Sequence, residues 1–180
     1  MKKSFKKLSL HELGRISVDD FKLAAKIPVA IILDNVRSGQ NVGSAFRTSD
    51  GFAVEKMYLC GITCKPPHKE IQKTALGAHE AVDWEYSDST EAVIEQLQKD
   101  GYIICSVEQT RNSTFLHNLT IDTEKKYALV FGNEVSGVQQ SVIDMSDKCI
   151  EIPQFGTKHS FNISVSCGMV LWSVAQKFLV

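Results

Sequence analysis

Short apolar runs alternate along this chain with segments in which apolar residues recur at helical spacing, and this alternation is the strongest constraint on its fold. The runs predict buried strands at residues 27–33, 54–60, 102–107, 127–131 and 149–152. The intervening segments predict helices at residues 41–50, 91–99, 138–145 and from 162 to about 178. Such alternation favours an α/β fold, in which a mostly parallel sheet carries helices on both faces.

Turn-forming residues mark the connections between these elements. Residues 8–26 predict one or two short helices, with a helix start at Ser17. Gly51 stands where a helix carboxyl-terminal cap is expected. Residues 63–78 contain two consecutive prolines and predict a loop with a short helix, and the polar residues 108–119 predict a second loop.

The length and charge of the chain favour one main domain. With 180 residues, 43% of them hydrophobic, the chain can bury a substantial core without disulfides or a structural metal. We expect a basic, helical extension at residues 1–26, which contains Lys2, Lys3, Lys6 and Lys7, followed by a domain at residues 27–180. Because the formal net charge is -1, any attraction for nucleic acid must be local.

The cysteines predict reduced thiols rather than disulfides or a metal site. There are five, they include no Cys-x-x-Cys pair, and most lie inside apolar runs. Cys60 and Cys64 lack a second Cys/His pair at a suitable spacing, so we expect no metal. The chain also shows no secretory segment and no apolar stretch of bilayer length, which predicts a cytoplasmic protein without a membrane partner.

Three polar signatures follow apolar runs: residues 41–48, residues 130–137, and Ile152-Pro153 continuing to residues 160–165. In an α/β protein such points are the carboxyl ends of strands, which lie at one edge of the sheet and surround ligands there. We therefore expect the three signatures to form one composite site.

The first signature offers a helix with little side-chain bulk at its start. Gly43 and its small neighbours leave the first turn open to a ligand or another chain. Asn41, Ser44 and Arg47 share one helix face, a stripe suited to an RNA phosphate and ribose. The alternative is an ordinary asparagine cap beside a surface arginine that pairs with Asp50.

The second signature turns the chain sharply around Glu134, with Gly132 and Gly137 on either side. Backbone groups exposed by the glycines could hold an adenosine or an amino-acid moiety, and Glu134 could accept from a hydroxyl or an amine, or pair with Arg47. An ordinary acidic turn is the alternative. No Walker lysine and no Gly-x-Gly-x-x-Gly are present, which disfavours other nucleotide-using enzymes.

The third signature delivers Ser160 and Asn162 to the start of a long apolar helix, where unpaired N–H groups and the positive end of the helix dipole favour electron-rich ligand atoms. Helix capping explains one of these two residues more easily than both. His159 precedes them in the loop and is either a proton-transfer group or simply solvated.

In this order the three signatures resemble the motifs of the SpoU/TrmH family of RNA 2′-O-ribose methyltransferases in the SPOUT superfamily, over about residues 31–176. The matching positions are Asn41, Gly43 and Arg47 in the first motif, Gly132, Glu134 and Gly137 in the second, and Ile152, Pro153, Gly156, Ser160, Asn162 and Ser164 in the third. The chain departs from the family pattern at Gln154 and Phe161, where methionine and leucine are usual.

The resemblance implies a deep trefoil knot in the carboxyl-terminal part and S-adenosylmethionine bound by the knot loops, with no metal. It implies that the cofactor contacts are Cys105, Ser106, Val107, Phe131, Gly132, Asn133, Glu134, Ile152, Phe161 and Asn162. It further implies a homodimer through the knot region, in which Arg47 reaches toward the partner's cofactor.

The implied activity is methylation of a ribose 2′-hydroxyl in structured RNA, which leaves S-adenosylhomocysteine as product. The implied catalytic residues are Asn41, Arg47, Glu134, Ser160 and Asn162. We expect tRNA rather than rRNA as substrate, because no separate RNA-binding domain precedes the catalytic one. The alternative is a catalytically inactive RNA-binding protein that keeps the fold.

Overall fold

A computed structural model describes residues 5–9 and 11–179 and shows one seven-stranded sheet, in the order β3-β2-β1-β6-β4-β7-β5. The strands are β1 (Ile27–Asp34), β2 (Val54–Cys60), β3 (Trp84–Ser87), β4 (Tyr102–Val107), β5 (Thr114–Phe115), β6 (Lys126–Phe131) and β7 (Lys148–Glu151). Every paired strand in this sheet runs parallel to its neighbour. The predicted α/β class with a mostly parallel sheet is thus confirmed.

Helices cover both faces of the sheet. They are α1 (Val18–Leu23), α2 (Gly39–Gly51), α3 (Lys69–Ala75), α4 (Ala78–Ala81), α5 (Thr90–Lys99), α6 (Gln140–Asp144) and α7 (Ile163–Ala175). Alternate residues of β1 point to opposite faces: Ile31 and Leu33 join a core with α2, α3 and α7, while Ala30 and Ile32 join a core with α5 and α6. Strand β1 is apolar from Ile27 to Leu33, because both of its faces are covered.

Some elements differ from the sequence prediction. Strand β3 was not predicted, because it has four residues and lies at the sheet edge, paired only with β2. Strand β5 has two residues and lies inside the predicted loop 108–119. Helix α2 begins at Gly39 rather than Asn41, since Ser38 Oγ accepts the Asn41 N–H at 3.3 Å and caps the helix. The last helix ends at Ala175 instead of Phe178.

The described part of the amino-terminal extension is mostly exposed and contacts the main core through Phe21. As predicted, Ser17 caps α1, with its Oγ accepting from the Asp20 N–H at 3.1 Å, and Phe21 of α1 is buried. Lys6 and Lys7 are exposed, whereas Lys2 and Lys3 lie outside the described residues. The extension therefore presents charge to solvent while its first α-helix joins the core.

Three thiols are buried, those of Cys60, Cys105 and Cys167. Burial raises the pKa of each to about 12, so these thiols stay protonated at neutral pH. Over residues 5–9 and 11–179 no helix combines the length and apolar content needed to cross a membrane. No cluster of three or more potential metal-ligating side chains occurs in that same part of the chain.

A buried carboxylate fixes the carboxyl end of β1. Asp34 accepts hydrogen bonds from Asn35 Nδ2 at 2.8 Å, Thr90 Oγ1 at 2.7 Å, and both the backbone N–H and Nε2 of Gln139 at 3.0 and 2.9 Å. Each buried oxygen is thereby satisfied, as a buried charge requires. These bonds join β1 to the start of α5 and to the residue before α6, and they order the sheet edge where the polar signatures lie.

Candidate active site

A cavity of about 630 Å³ opens at the carboxyl ends of β4, β6 and β7. From β1 the chain first adds β2 and β3 on one side of the sheet and then places its later strands on the other side, beginning with β6 next to β1. The cavity lies close to this change of direction. Ligands of open α/β sheets bind at such points. The volume is typical of small-molecule sites. Its walls are residues 107–109, 131–138, 150–152 and 159–163, with Gln140, Ile143, Gln154 and Ser166.

The turn after β6 forms one wall and depends on two glycines. Asn133 and Gly137 exchange backbone hydrogen bonds of 3.0 and 2.9 Å, which close the turn. A Cβ on Gly132 would lie 2.1 Å from the carbonyl carbon of Gly137 and 2.2 Å from the nitrogen of Val138. Gly137 has a φ of +70°, and a Cβ there would lie 2.1 Å from Glu108 Oε2. Side chains at these two positions are therefore excluded.

Glu134, within this turn, holds the start of α2. Its Oε1 accepts from Asn41 Nδ2 and from the Ser38 N–H, each at 2.9 Å, and its Oε2 accepts from the Arg37 N–H at 3.1 Å. Burial acts to raise the pKa of Glu134, but these hydrogen bonds outweigh it and the pKa lies below its ordinary value. Glu134 is therefore an ionised anchor at neutral pH and poorly suited to accept a proton.

Replacing Asn41 with alanine is expected to raise the pKa of Glu134 toward its ordinary value, because the mutation removes a hydrogen bond to the charged form. The pKa is measured by NMR titration of the Glu134 side-chain carboxyl. In the wild type, ionised Glu134 stabilises the fold at pH values above its pKa in the unfolded chain, about 4.3. This contribution is lost as the pH falls through the lowered pKa of Glu134 in the folded protein. Gln40→Ala is the control, since the Gln40 side chain donates to Glu70 and not to Glu134. An unchanged Glu134 pKa in Asn41→Ala would contradict the hydrogen bond between Asn41 and Glu134.

Asn41 links all three signatures. Its side chain is 9% exposed, donates to Glu134, and accepts from Asn162 Nδ2 at 3.2 Å. Asn162 in turn caps α7, with its Oδ1 accepting from the Ser164 N–H at 2.9 Å. The predicted convergence of the three signatures is therefore present: Glu134 and Asn162 line the cavity, and Asn41 joins them from the helix beside it.

The small residues at the start of α2 serve packing. A Cβ on Gly43 would lie 2.1 Å from Thr74 Oγ1 and 2.6 Å from the backbone oxygen of Ile71, both on α3. The expectation that this turn stays open to a ligand is thus wrong, because α3 lies against it. Thr74 Oγ1 donates to the Gln40 carbonyl at 3.1 Å and holds the two helices together.

Arg47 is exposed on α2 and does not line the cavity of its own protomer. Within the described residues its side chain makes no hydrogen bond and no ion pair, with Asp50 or with Glu134. The cation that acts on the Asp50 carboxyl is Arg15; burial raises the pKa of Asp50 and Arg15 partly offsets the rise. The predicted pairing of Arg47 with either carboxylate is therefore absent within the chain.

Most of the predicted cofactor contacts line the cavity, as does Ser160: Val107, Phe131, Gly132, Asn133, Glu134, Ile152, Phe161 and Asn162. Cys105 and Ser106 do not. Cys105 points into the core shared with α7, and the Ser106 hydroxyl hydrogen-bonds the Ser146 hydroxyl at 2.8 Å. The side chains of these two residues do not reach the cavity, because side chains within β4 alternate between the buried faces of the sheet. The contact that the resemblance implies for residues 105–107 is through backbone groups, and it stays a prediction.

The lining also contains polar residues that were not predicted as site residues: Glu108, Gln109, Gln140, Glu151, Gln154 and Ser166. Glu108 and Gln109 directly follow β4. The rule that identified the other signatures, polar residues at the end of a strand, would have found them. The sequence instead predicted that these two residues begin the polar loop 108–119.

The charge of the lining distinguishes between ligand classes. The lining residues include Glu108, Glu134 and Glu151 and neither lysine nor arginine. Such a cavity favours a cationic ligand and disfavours a polyphosphate. S-adenosylmethionine carries a sulfonium and an ammonium against one carboxylate, so its charge and its size fit this lining.

Comparisons with known proteins agree with this geometry. A sequence model of the SpoU rRNA methylase family matches residues 28–172. A tRNA (guanosine(18)-2′-O)-methyltransferase of Borreliella burgdorferi is 27% identical over 149 residues, which cover 83% of this chain and 66% of the relative. A 23S rRNA (guanosine-2′-O-)-methyltransferase RlmB of Neisseria meningitidis is 30% identical over 144 residues, which cover 80% of this chain and 56% of the relative.

Solved structures share the fold. The A. aeolicus TrmH/SpoU tRNA modifying enzyme has a TM-score of 0.77 at 26% identity, covering 89% of this chain and 81% of that one. The SpoU methyltransferase AviRb from Streptomyces viridochromogenes, solved in complex with AdoMet, has a TM-score of 0.77 at 15% identity, covering 89% of this chain and 64% of that one; this likeness concerns the fold alone.

The chain spans between about half and two thirds of the length of the two curated relatives named above. The family match nevertheless extends over most of the chain and includes all three signatures, from Asn41 to Ser164. The chain therefore belongs to the SpoU rRNA methylase family.

Proposed function

We propose that this protein is an S-adenosylmethionine-dependent RNA 2′-O-methyltransferase. The observation that carries the proposal is the link Glu134–Asn41–Asn162, which brings the three family motifs together beside one acidic cavity. Membership of the SpoU family supports the same activity.

The cofactor belongs in the 630 Å³ cavity. The backbone of the turn from Phe131 to Glu134 offers hydrogen-bonding groups, and Val107, Ile152 and Phe161 offer apolar contact. When bound, S-adenosylmethionine supplies a methyl group already activated by its sulfonium. No metal is part of the proposal.

The residues of this chain mainly have to align the ribose oxygen with the methyl carbon. In the transfer, a bond would form between the 2′-oxygen and the methyl carbon, the carbon–sulfur bond would break with its electron pair staying on sulfur, and the hydroxyl proton would pass to solvent water. Alignment of this kind is worth about 7–11 kcal/mol of barrier in well-oriented systems. We assign Asn41, Ser160 and Asn162 to positioning. Glu134 is the anchor that keeps Asn41 in place.

We assign Arg47 to contact with RNA rather than with the cofactor of its own protomer, because Arg47 is exposed and outside the cavity. Its guanidinium suits phosphate and ribose oxygens. We propose a homodimer through the knot region in which Arg47 completes the partner's site. The exposed apolar stripe Phe161, Val165 and Trp172, which lies along α7 and its start, supports such an interface: the three side chains are 42%, 50% and 52% exposed.

We propose tRNA as the substrate class in preference to rRNA. The two relatives named above support RNA as substrate in both classes, since one is a tRNA methyltransferase and the other a 23S rRNA methyltransferase. We retain residues 1–26 as an extension and 27–180 as the catalytic domain, with Lys6 and Lys7 available to RNA. The buried cysteines are free thiols, which supports a reducing, cytoplasmic compartment.

The proposal is tested by incubating the purified protein with tritiated S-adenosylmethionine and either total tRNA or 23S rRNA that lacks ribose methylation. Mass spectrometry of the digested nucleosides then identifies the product. We expect a 2′-O-methylated nucleoside in tRNA. Label in rRNA alone would overturn the substrate class. RNA binding without any transfer would favour the inactive RNA-binding alternative.

A further inference from the structure

Residues 153–161 form the central part of the connection from β7 to α7, between Ile152 and Asn162, and carry Ser160 and Phe161 into the cavity wall. Residues 155–161 are all exposed. In the part of the chain that the structure describes, this segment makes two hydrogen bonds, and the His159 carbonyl accepts both. One comes from Gln109 Nε2 at 2.6 Å and the other from Gln154 Nε2 at 3.4 Å.

Gln154 belongs to the segment itself, so Gln109 provides the one hydrogen bond from the rest of the described structure. A surface segment with so few contacts opens at low free-energy cost. Asn162, the next residue along the chain, is held by Asn41 and by its capping of α7. On the amino-terminal side of Ser160 and Phe161, the bond from Gln109 is the contact that fixes their position.

Gln109 is itself held in place by the residue before it. The Glu108 carboxylate accepts from the Gln109 N–H at 2.8 Å through Oε1 and from the Val138 N–H at 3.0 Å through Oε2. The missing side chain of Gly137 makes room for that carboxylate. A continuous series of contacts thus runs from the turn after β6, through Glu108 and Gln109, to His159, and it ties three walls of the cavity together.

We propose that Gln109 is a positioning residue that fixes Ser160 and Phe161 in the cavity wall by holding the His159 carbonyl. This inference deepens the proposed function and rests on it. Gln109 acts through the backbone of the segment and not on the reacting atoms. Without the hydrogen bond from Gln109, cofactor binding must also order residues 153–161. The conformational freedom that this segment then loses weakens cofactor binding. Gln154 stands where the family pattern has methionine, so the second, longer bond is a feature of this chain.

The test compares Gln109→Met, which keeps the length of the side chain and removes its donor, with Gln98→Met. Gln98 is a matched control, since its exposed Nε2 donates to another backbone carbonyl, that of Met145, at 2.9 Å. Two quantities are measured: the rate of tryptic cleavage after Lys158, followed by mass spectrometry, and the Kd for S-adenosylmethionine by calorimetry. For Gln109→Met we expect cleavage about 3- to 10-fold faster and a Kd about 3- to 10-fold higher, the equivalent of one net hydrogen bond. Gln98→Met is expected to match the wild type in both.

Wild-type cleavage and wild-type Kd in Gln109→Met would overturn the inference. Faster cleavage at every tryptic site, together with a lower Tm, would also overturn it, because it would show a general loss of stability. If the wild type bound no S-adenosylmethionine, the proposed function would fail. The cleavage rate after Lys158 would still decide whether Gln109 holds the segment.

Discussion

Replacing Gly132 with alanine is expected to raise the Kd for S-adenosylmethionine at least about 100-fold and to lower the free energy of unfolding by about 3 kcal/mol, the upper part of the range for overpacking. The new Cβ would lie 2.1 Å from the Gly137 carbonyl carbon and 2.2 Å from the Val138 nitrogen. Both are backbone atoms and cannot move aside as a side chain would. The turn that forms the cavity wall must therefore open.

Calorimetric titration gives the Kd, and urea unfolding gives the free energy. Gly51→Ala is the matched control, because Gly51 is the last residue of α2 and a Cβ there meets no atom within 4 Å. That variant is expected to bind as the wild type does and to be as stable or slightly more stable. Wild-type affinity in Gly132→Ala would show that the turn after β6 does not contribute to the cofactor site.

Replacing Arg47 with alanine is expected to reduce the rate of methyl transfer about 10²- to 10³-fold, the loss typical of removing one charge-stabilising donor, and to leave the Kd for S-adenosylmethionine unchanged. Arg47 is exposed and outside the cavity of its own protomer, and we assign its guanidinium to the RNA in the partner's site, so its loss leaves the cofactor contacts of both sites intact. Arg47→Lys keeps the positive charge but not the planar guanidinium, and its rate of methyl transfer is expected to lie between those of the wild type and Arg47→Ala.

The rate is measured with saturating cofactor and limiting RNA. Lys99→Ala is the control, an exposed cation on α5, which covers the opposite face of the sheet. A wild-type rate in Arg47→Ala would remove this residue from the catalytic assignment. A raised Kd for the cofactor would place Arg47 in the cofactor site instead.

Co-expressing Arg47→Ala and Gly132→Ala chains tests whether Arg47 acts across the proposed dimer. A mixed dimer would contain one site with an intact cavity and an intact Arg47 from the other protomer. Random pairing makes about half of the dimers mixed, each with one working site of two, so about a quarter of the wild-type activity should return. Activity no higher than that of the separate variants would mean that Arg47 acts within its own chain.

The sequence determined the layers of the fold. The strands β1, β2, β4, β6 and β7 were predicted within a residue or two, because a buried parallel strand is a continuous apolar run that can be read locally. The convergence of the three signatures also followed from the sequence, since carboxyl ends of parallel strands share one edge. Strands β3 and β5 were missed, because two to four residues at the sheet margin carry too little pattern.

Only the tertiary structure decided which atoms each polar group contacts. Glu134 anchors Asn41 instead of pairing with Arg47, Gly43 lies under α3, and Gln109 holds the His159 carbonyl fifty residues away. The physical reason is that strand and helix patterns arise from neighbours in sequence, whereas hydrogen bonds and close packing depend on which distant segments the fold brings within a few ångströms.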